Sequence, residues 1–234
     1  MAGNSETAFR RIRPPVLHNG DTLGADEYLR RFCRMPEVKK AELIGGVVFV
    51  ESRACVGHGA AASDLACWLG AYSIPTAGTQ GSIRVTTLLD DDNVVQPDVT
   101  LAILPESGGR ITYSSDGYHA GGAELLAEVA MNSAGFDAVM KPRLYLKHGV
   151  AEYVLWRVED EAIDWWTLRD GDYAAIEPDP ADGLLKSAVY PGLWLDKPAM
   201  LRGDMPAVLA ALQRGLASPG HAEFAAKLRE SARI

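Results

Sequence analysis

Three acidic residues stand within or beside apolar segments that have the pattern of strands. Glu42 lies in Ala-Glu-Leu-Ile, Asp98 follows Val-Val-Gln-Pro, and Glu128 lies in Leu-Leu-Ala-Glu-Val-Ala-Met. A carboxylate inside a sheet is costly unless it is paired, hydrogen-bonded or bound to a cation. If the three converge, a hard divalent ion such as Mg²⁺ would relieve their repulsion, activate a water and stabilise charge on a phosphate. A solvent-facing position is the more common one for any single member, and for the set the sequence leaves both interpretations open.

Lys141 follows Glu128 by thirteen residues, in a segment that predicts a helix. A lysine beside a metal site orients the attacking water or neutralises charge on the transition state. The spacing alone favours a surface lysine paired with Asp137, four residues earlier. Pro142 also disfavours a helical conformation at Lys141 unless a first turn or a kink is used.

Basic residues elsewhere are candidates for contact with a phosphate or another substrate group. His58, in Gly-His-Gly at a predicted helix start, is one candidate, although a single histidine there more often caps or packs. Arg84 and Arg143, with Arg53 and the basic N-terminal segment, are the others. The chain has no dinucleotide-binding glycine pattern, no Walker A lysine loop and no activated serine turn, which excludes those classes of site.

Apolar periodicity and turn residues predict an α/β or α+β fold with a mixed sheet. The predicted helices span residues 26–34, 58–72, 136–148 and 206–233, the last interrupted at 218–220. The predicted strands comprise a hairpin about Gly45-Gly46 and segments 83–88, 94–104, 124–131, 152–158, 162–168 and 173–176, with a loop over 107–122. We expect a flexible arm over residues 1–20, one domain over 21–200 and a helical extension over 201–234.

The composition excludes several classes of protein. The chain has 234 residues, of which 47% are hydrophobic and 23% charged, values typical of a folded domain rather than of disorder. No apolar run is long enough to span a membrane, and the N-terminus lacks the apolar core of a secretory signal. The three cysteines show no C-x-x-C spacing, which argues against a zinc site or a disulfide scaffold and favours the cytoplasm.

The net charge of −8 is unevenly distributed along the chain. Residues 1–40 hold 8 basic and 5 acidic side chains, whereas residues 151–200 hold 4 basic and 11 acidic ones. Because the excess acid is concentrated in predicted turns, it does not exclude DNA as a partner. It predicts weak, salt-sensitive binding that depends on a divalent ion and on local arginines.

Six segments, in this order, resemble the Uma2 family (formerly DUF820) of the PD-(D/E)XK restriction-endonuclease-like superfamily. They are AELIGGVVFV, the His58-Gly59 helix start, QPDVTLA, AEVAMNS, KPRLYLKHGVAEYVLW and YPGLWL, which together extend over about residues 25–200. The resemblance implies a mixed central sheet flanked by helices, with an N-terminal hairpin and a C-terminal helical region. It also implies hydrolysis of DNA phosphodiesters with Mg²⁺ or Mn²⁺.

The resemblance assigns roles to five residues. Asp98 and Glu128 would be metal ligands, Val129 would add its backbone carbonyl, Glu42 would support the metal or its water, and Lys141 would be the catalytic lysine. Where the superfamily has a lysine two residues after the strand glutamate, this chain has Ala130. The family commonly has its catalytic lysine at another place in the chain. The family's Ser-Pro-Ser reads Met131-Asn132-Ser133, and Arg157 stands in the strand that usually ends in an acid.

The leading hypothesis is therefore a metal-dependent endonuclease. The alternatives are a nuclease fold that binds nucleic acid or protein without catalysis, and an enzyme acting on a phosphate ester other than a nucleic acid. A homodimer is expected because double-strand cleavage needs two sites and because the Ala/Leu-rich C-terminal helix offers a face to a partner.

Overall fold

A computed structural model describes residues 15–50, 55–131 and 136–232, with side chains in the last range from residue 139. Most of the expected N-terminal arm and Arg53 lie outside these ranges. In the described residues, no helix is long and apolar enough to cross a membrane.

Two six-stranded mixed sheets form the centre of the molecule. The strands are β1 (Ala41–Ile44), β2 (Val47–Val50), β3 (Thr79–Ile83), β4 (Thr87–Asp90), β5 (Asn93–Val95), β6 (Val99–Ile103), β7 (Thr112–Tyr113), β8 (His119–Ala120), β9 (Leu125–Ala130), β10 (Glu152–Arg157), β11 (Ala162–Arg169), β12 (Asp172–Ala175), β13 (Leu185–Lys186) and β14 (Trp194–Leu195). The first sheet has the order β2-β1-β5-β4-β8-β7 and the second β12-β11-β10-β9-β6-β3, while β13 and β14 form a separate pair. Each large sheet contains one parallel pair, β4 with β8 and β9 with β10.

Six α-helices lie in the described part of the chain. They are α1 (Ala25–Phe32), α2 (Val56–Ser73), α3 (Phe136–Lys147), α4 (Lys197–Leu201), α5 (Met205–Leu216) and α6 (Pro219–Ser231). The helix α3 continues through Pro142, so the proline does not end it at Lys141. The mixed α/β architecture and the N-terminal hairpin agree with the expectation from the sequence.

The main core lies between α2 and the second sheet. The predicted helical spacing is confirmed, because Ala61, Leu65, Trp68 and Leu69 are all buried on one side of α2. Trp68 packs edge-on against Trp165 of β11, with ring centroids 5.4 Å apart. This packing fixes α2, and with it the first turn of that helix, against the sheet.

The C-terminal helices pack on their own domain. The apolar face of α5 contacts α2 and β14, and Val208 and Leu212 are fully buried there. In α6, Ala225 and Leu228 are buried as well. The face that suggested a partner subunit is therefore used within the chain.

Two predicted strands are each divided between the sheets. The segment predicted as a strand over 83–88 contains the last residue of β3, in the second sheet, and the first two residues of β4, in the first sheet. Arg84, at φ 51°, lies between these strands. The segment predicted over 94–104 is β5 in the first sheet and β6 in the second. Pro97, which has no N–H for a ladder, lies at this second break. The two breaks adjoin, since Arg84 N donates to the carbonyl of Asp98 over 3.3 Å.

The segment 107–122, predicted as a loop, contains regular structure as well. A 3₁₀ turn (Pro105–Ser107) ends within it, and the short strands β7 and β8 extend the first sheet. Two-residue strands of this kind leave no apolar alternation long enough for a sequence pattern to detect.

A buried carboxylate ties β10 to the segment before β14. Glu152 is fully buried, and its oxygens accept hydrogen bonds from Trp165 Nε1 (3.2 Å), Ser187 Oγ (2.8 Å), Ala188 N (2.7 Å) and Val189 N (3.1 Å). Burial raises the pKa of this carboxyl to about 7, against the opposing effect of these donors. Because β10 runs parallel to β9, this anchor also holds the strand that carries Glu128.

We expect Glu152→Ala to lower the free energy of unfolding by about 3 kcal/mol, because it leaves several buried donors without an acceptor. Urea denaturation measures this loss. The control is Glu177→Ala, which removes an exposed carboxylate and should cost less than about 0.5 kcal/mol. Equal losses in the two variants would contradict the anchoring role.

Candidate active site

The junction of the two sheets brings together the acidic residues singled out in the sequence. Glu42 comes from β1 of the first sheet, Glu128 from β9 of the second, and Asp98 from the crossover between β5 and β6. Glu42 is 6% exposed, and Asp98 and Glu128 are each 1% exposed. The interpretation of these carboxylates as solvent-facing is therefore wrong. Their separate positions in the sequence converge because the chain crosses between the sheets at Asp98.

Lys141 reaches the same cluster from α3. Its Nζ lies 2.7 Å from Glu128 Oε1 and 3.1 Å from Glu42 Oε2. The side chain is 1% exposed, so the interpretation as a surface lysine is wrong. The helix α3 packs on β9 and β10, which turns Lys141 toward the sheets.

Asp98 is held by donors from several elements. Its Oδ2 accepts a hydrogen bond from Val129 N at 3.0 Å and lies 3.4 Å from His58 Nε2, in the first turn of α2. Its Oδ1 lies 3.1 Å from Lys40 Nζ and 3.8 Å from Arg84 Nε. The two carboxylate oxygens thus face different sets of cationic or polar groups.

Two residues of the cluster, Lys40 and Tyr145, were missed by the sequence analysis. Lys40 Nζ lies 3.7 Å from Glu128 Oε2 as well as near Asp98, and Tyr145 OH donates to Glu128 Oε1 at 2.8 Å. Each had a detectable signal. Lys40 is two residues before Glu42, the spacing of one face of a strand, and Tyr145 is four residues after Lys141, the spacing of one face of a helix.

Burial and neighbouring charge set the protonation of the acids. Burial raises the pKa of Glu128 to about 7, although the charges of Lys141 and Lys40 act in the opposite direction. Burial acts to raise the pKa of Asp98 too, but the imidazole of His58 at 3.4 Å, the charge of Lys40 and the hydrogen bond from Val129 N hold it below its usual value. Asp98 is therefore firmly ionised, whereas Glu128 is close to exchanging its proton near neutral pH.

The donor set fits a hard divalent cation. No group of three or more histidine, cysteine, aspartate or glutamate side chains with metal-binding geometry occurs in the described ranges. Mg²⁺, however, is commonly bound through one or two carboxylates with water completing its shell. Asp98 Oδ1 and Glu128 Oε2 already face one cationic group, the ammonium of Lys40. The pair is thus oriented to hold a positive charge.

The remaining candidate residues occupy different positions. His58 is buried against Asp98, while the Arg84 side chain is 35% exposed at the edge of the cluster. Arg143 is exposed on α3, and among the described contacts no ion pair joins it to the cluster. The N–H of Val129 is directed to Asp98, and a ligand role for its carbonyl stays a prediction.

Comparison with known proteins finds a matching family model and similar solved structures. The family model Uma2, described as "Putative restriction endonuclease", matches residues 25–198. A crystal structure from Anabaena variabilis ATCC 29413, described as a "putative nuclease belonging to DUF820", superposes with a TM-score of 0.53. The alignment has 16% identity and covers 79% of this chain and 98% of that one, so the likeness supports the fold. No functionally curated protein matches the chain.

We expect Lys141→Met to lower the free energy of unfolding by about 3–5 kcal/mol, because Glu128 and Glu42 lose a buried cationic partner. Combining it with Glu128→Gln should cost less than the sum of the single losses, as is usual for groups in contact. Urea denaturation of the single and double variants measures the coupling.

The control for this variant is Lys147→Met on the same helix. The Lys147 side chain is 67% exposed and pairs with Asp90 at 3.3 Å, so its loss should cost less than about 1 kcal/mol. A Lys141 variant as stable as the Lys147 variant would refute the buried-pair account.

Proposed function

The chain belongs to the Uma2 family, and from this and the buried cluster we propose that it is an endonuclease that hydrolyses DNA phosphodiesters with Mg²⁺ or Mn²⁺. Family and fold support the coarser statement, a restriction-endonuclease-like nuclease. The DNA substrate, the metal and the roles of individual residues are our proposal.

One observation carries the proposal. Three carboxylates from separate elements converge at a buried junction, and one lysine lies within hydrogen-bonding distance of two of them. Collecting like charges in this way costs folding energy unless cations compensate them. A purely structural role would be served as well by apolar side chains of similar volume, which often stabilise a core better than buried ion pairs.

Asp98 Oδ1 and Glu128 Oε2 are the oxygens we assign to the metal. The other oxygen of Glu128 accepts from Lys141 and Tyr145, and the other oxygen of Asp98 accepts from Val129 N. When bound, the ion would supply charge neutralisation at the phosphate and acidify a water. The carbonyl of Val129 is the third ligand that we propose.

Lys141 and Glu42 act together beside this pair. Lys141 donates to Glu128 Oε1, which turns Oε2 toward Asp98, and its ammonium is the group we propose to orient the attacking water. Glu42 Oε1 accepts from Gln96 N at 2.8 Å, so the carboxylate that pairs with Lys141 is itself fixed. These contacts support our assignment of Lys141 as the migrated catalytic lysine.

Arg84 is the residue we assign to the DNA backbone. Its guanidinium is partly exposed while lying 3.8 Å from Asp98, a position from which it can contact a phosphate at the cluster. His58, buried against Asp98, positions that carboxylate more directly than it contacts substrate. Arg143, exposed on α3, would add a more distant backbone contact.

A second candidate function is a non-catalytic nuclease fold that binds nucleic acid or protein. The observation in its favour is that two lysines, Lys40 and Lys141, already compensate the three carboxylates. Binding of a divalent ion distinguishes the two functions, since the non-catalytic module needs none.

A homodimer in the cytoplasm completes the proposal. The free thiols of Cys33, Cys55 and Cys67 are compatible with a reducing compartment. The apolar faces of α5 and α6 are used within the chain and no longer favour a dimer. The reason to propose one is that double-strand cleavage needs two sites. Light scattering that gives the monomer mass at micromolar concentration would contradict it.

We expect the purified protein to nick supercoiled plasmid DNA in Mg²⁺ or Mn²⁺ and not in EDTA. Asp98→Asn and Glu128→Gln should each reduce the rate by at least about 100-fold, because each removes charge from the reaction centre. Asp116→Asn, which alters an exposed acid, is the matched control and should keep the full rate. Cleavage that persists in both site variants would contradict the proposal.

We expect Arg84→Gln to weaken binding to all DNA sequences similarly and to reduce the salt dependence of binding by about one phosphate contact. Fluorescence anisotropy with a labelled duplex, over a series of salt concentrations, measures both quantities. Arg229→Gln removes an exposed arginine from α6 and should leave the slope unchanged. Equal slopes for all three proteins would exclude a phosphate contact by Arg84.

A further inference from the structure

Lys40 is a member of the cluster that has no part in the proposed cleavage of DNA. It lies directly before β1, in the segment that follows α1, and only 7% of its side chain is exposed. Its Nζ lies 3.1 Å from Asp98 Oδ1 and 3.7 Å from Glu128 Oε2. These are the two oxygens that we assign to the metal ion, and their other described contacts are long: Asp98 N lies 3.4 Å from Glu128 Oε2, and Arg84 Nε lies 3.8 Å from Asp98 Oδ1.

An ammonium and a divalent ion cannot occupy this position together. Mg²⁺ requires ligand oxygens at about 2.1 Å, and two cations facing the same oxygens repel each other strongly in a site shielded from water. Lys141 does not compete with the metal ion in this way. It pairs with Oε1 of Glu128, the oxygen opposite the proposed metal ligand, and with the carboxylate of Glu42.

We infer that Lys40 is the resident counter-ion of the site, which a divalent cation must displace in order to bind between Asp98 and Glu128. This inference rests on the proposed function, because it takes those two carboxylates to be the metal ligands. In the metal-free protein the ammonium compensates the buried acids. On metal entry it moves outward, and the metal affinity is lower than the carboxylates alone would give.

The depth of the two lysines indicates which of them moves. Lys141 is 1% exposed, whereas Lys40 is 7% exposed and shares Asp98 Oδ1 with the partly exposed Arg84. A lysine side chain has a flexible four-carbon stem, so its ammonium can leave while the backbone before β1 stays in place. The displaced charge then lies beside Arg84, where it adds to the attraction for a phosphate.

The first test is calorimetric titration of Mn²⁺ into the wild type, Lys40→Met and Lys39→Met. Removing the competing cation should tighten Mn²⁺ binding at least about 10-fold. Lys39→Met removes the same charge from the neighbouring exposed residue and should bind Mn²⁺ as the wild type does. Thermal melting in EDTA and in Mn²⁺ provides a second measurement, because Mn²⁺ should stabilise Lys40→Met more than it stabilises the wild type.

The second test uses the unaltered protein and so does not depend on the folding of a variant. Lysines are acetylated with a succinimidyl ester in EDTA or in Mn²⁺ at equal ionic strength, and each site is quantified by mass spectrometry. Mn²⁺ should raise the modification of Lys40 several-fold, while that of exposed Lys39 and buried Lys141 stays constant.

The outcomes separate this inference from the proposed function. If the wild type and Lys40→Met bind Mn²⁺ equally, or if Mn²⁺ binds and the labelling of Lys40 does not change, Lys40 is not displaced and only the inference fails. If neither protein binds Mn²⁺, the inference and the metal-dependent function both fail. If Lys40→Met alone binds, Lys40 blocks the site, which supports the inference and argues against metal-dependent cleavage by the natural chain.

Discussion

The compensation of three buried carboxylates is the constraint around which this structure is arranged. Glu42, Asp98 and Glu128 lie where solvent cannot screen their repulsion, so each needs a donor or a cation. Two lysines, a tyrosine and backbone N–H groups from β9 and the crossover segment meet that need. The cluster is therefore a network in which each acid depends on groups from other elements.

The acids of the cluster come together where the two sheets meet. Glu42 is on β1 and Glu128 on β9, which belong to different sheets, and the chain crosses between these sheets at Asp98. The crossover contains Pro97, and the adjacent crossover contains Arg84 in a left-handed conformation. Irregular backbone at the junction is thus the feature that joins an acid and an arginine at one point.

The lysine arrangement separates this chain from the usual superfamily pattern. With Ala130 in the strand position, the lysine that we propose as catalytic is Lys141 of α3, which pairs with Glu42 from the other sheet. The second lysine, Lys40, comes from the chain just before β1 and lies between 3.1 and 3.7 Å from Asp98 and Glu128. On our inference, Lys141 stays in place when a metal ion binds, and Lys40 is the cation that the metal ion replaces.

The sequence by itself determined the mixed α/β class, the buried face of α2, the hairpin and which three acids stand in apolar segments. These features follow from periodicity and from polar residues in apolar runs, which are local properties of the chain. It did not determine that segments 83–88 and 94–104 each divide between two sheets, since strand pairing depends on contacts between residues distant in the sequence. It also favoured a surface position for Lys141 and gave Lys40 no role. Whether a charged side chain is buried depends on which elements pack over it, and that is decided only when the sheets and α3 come together.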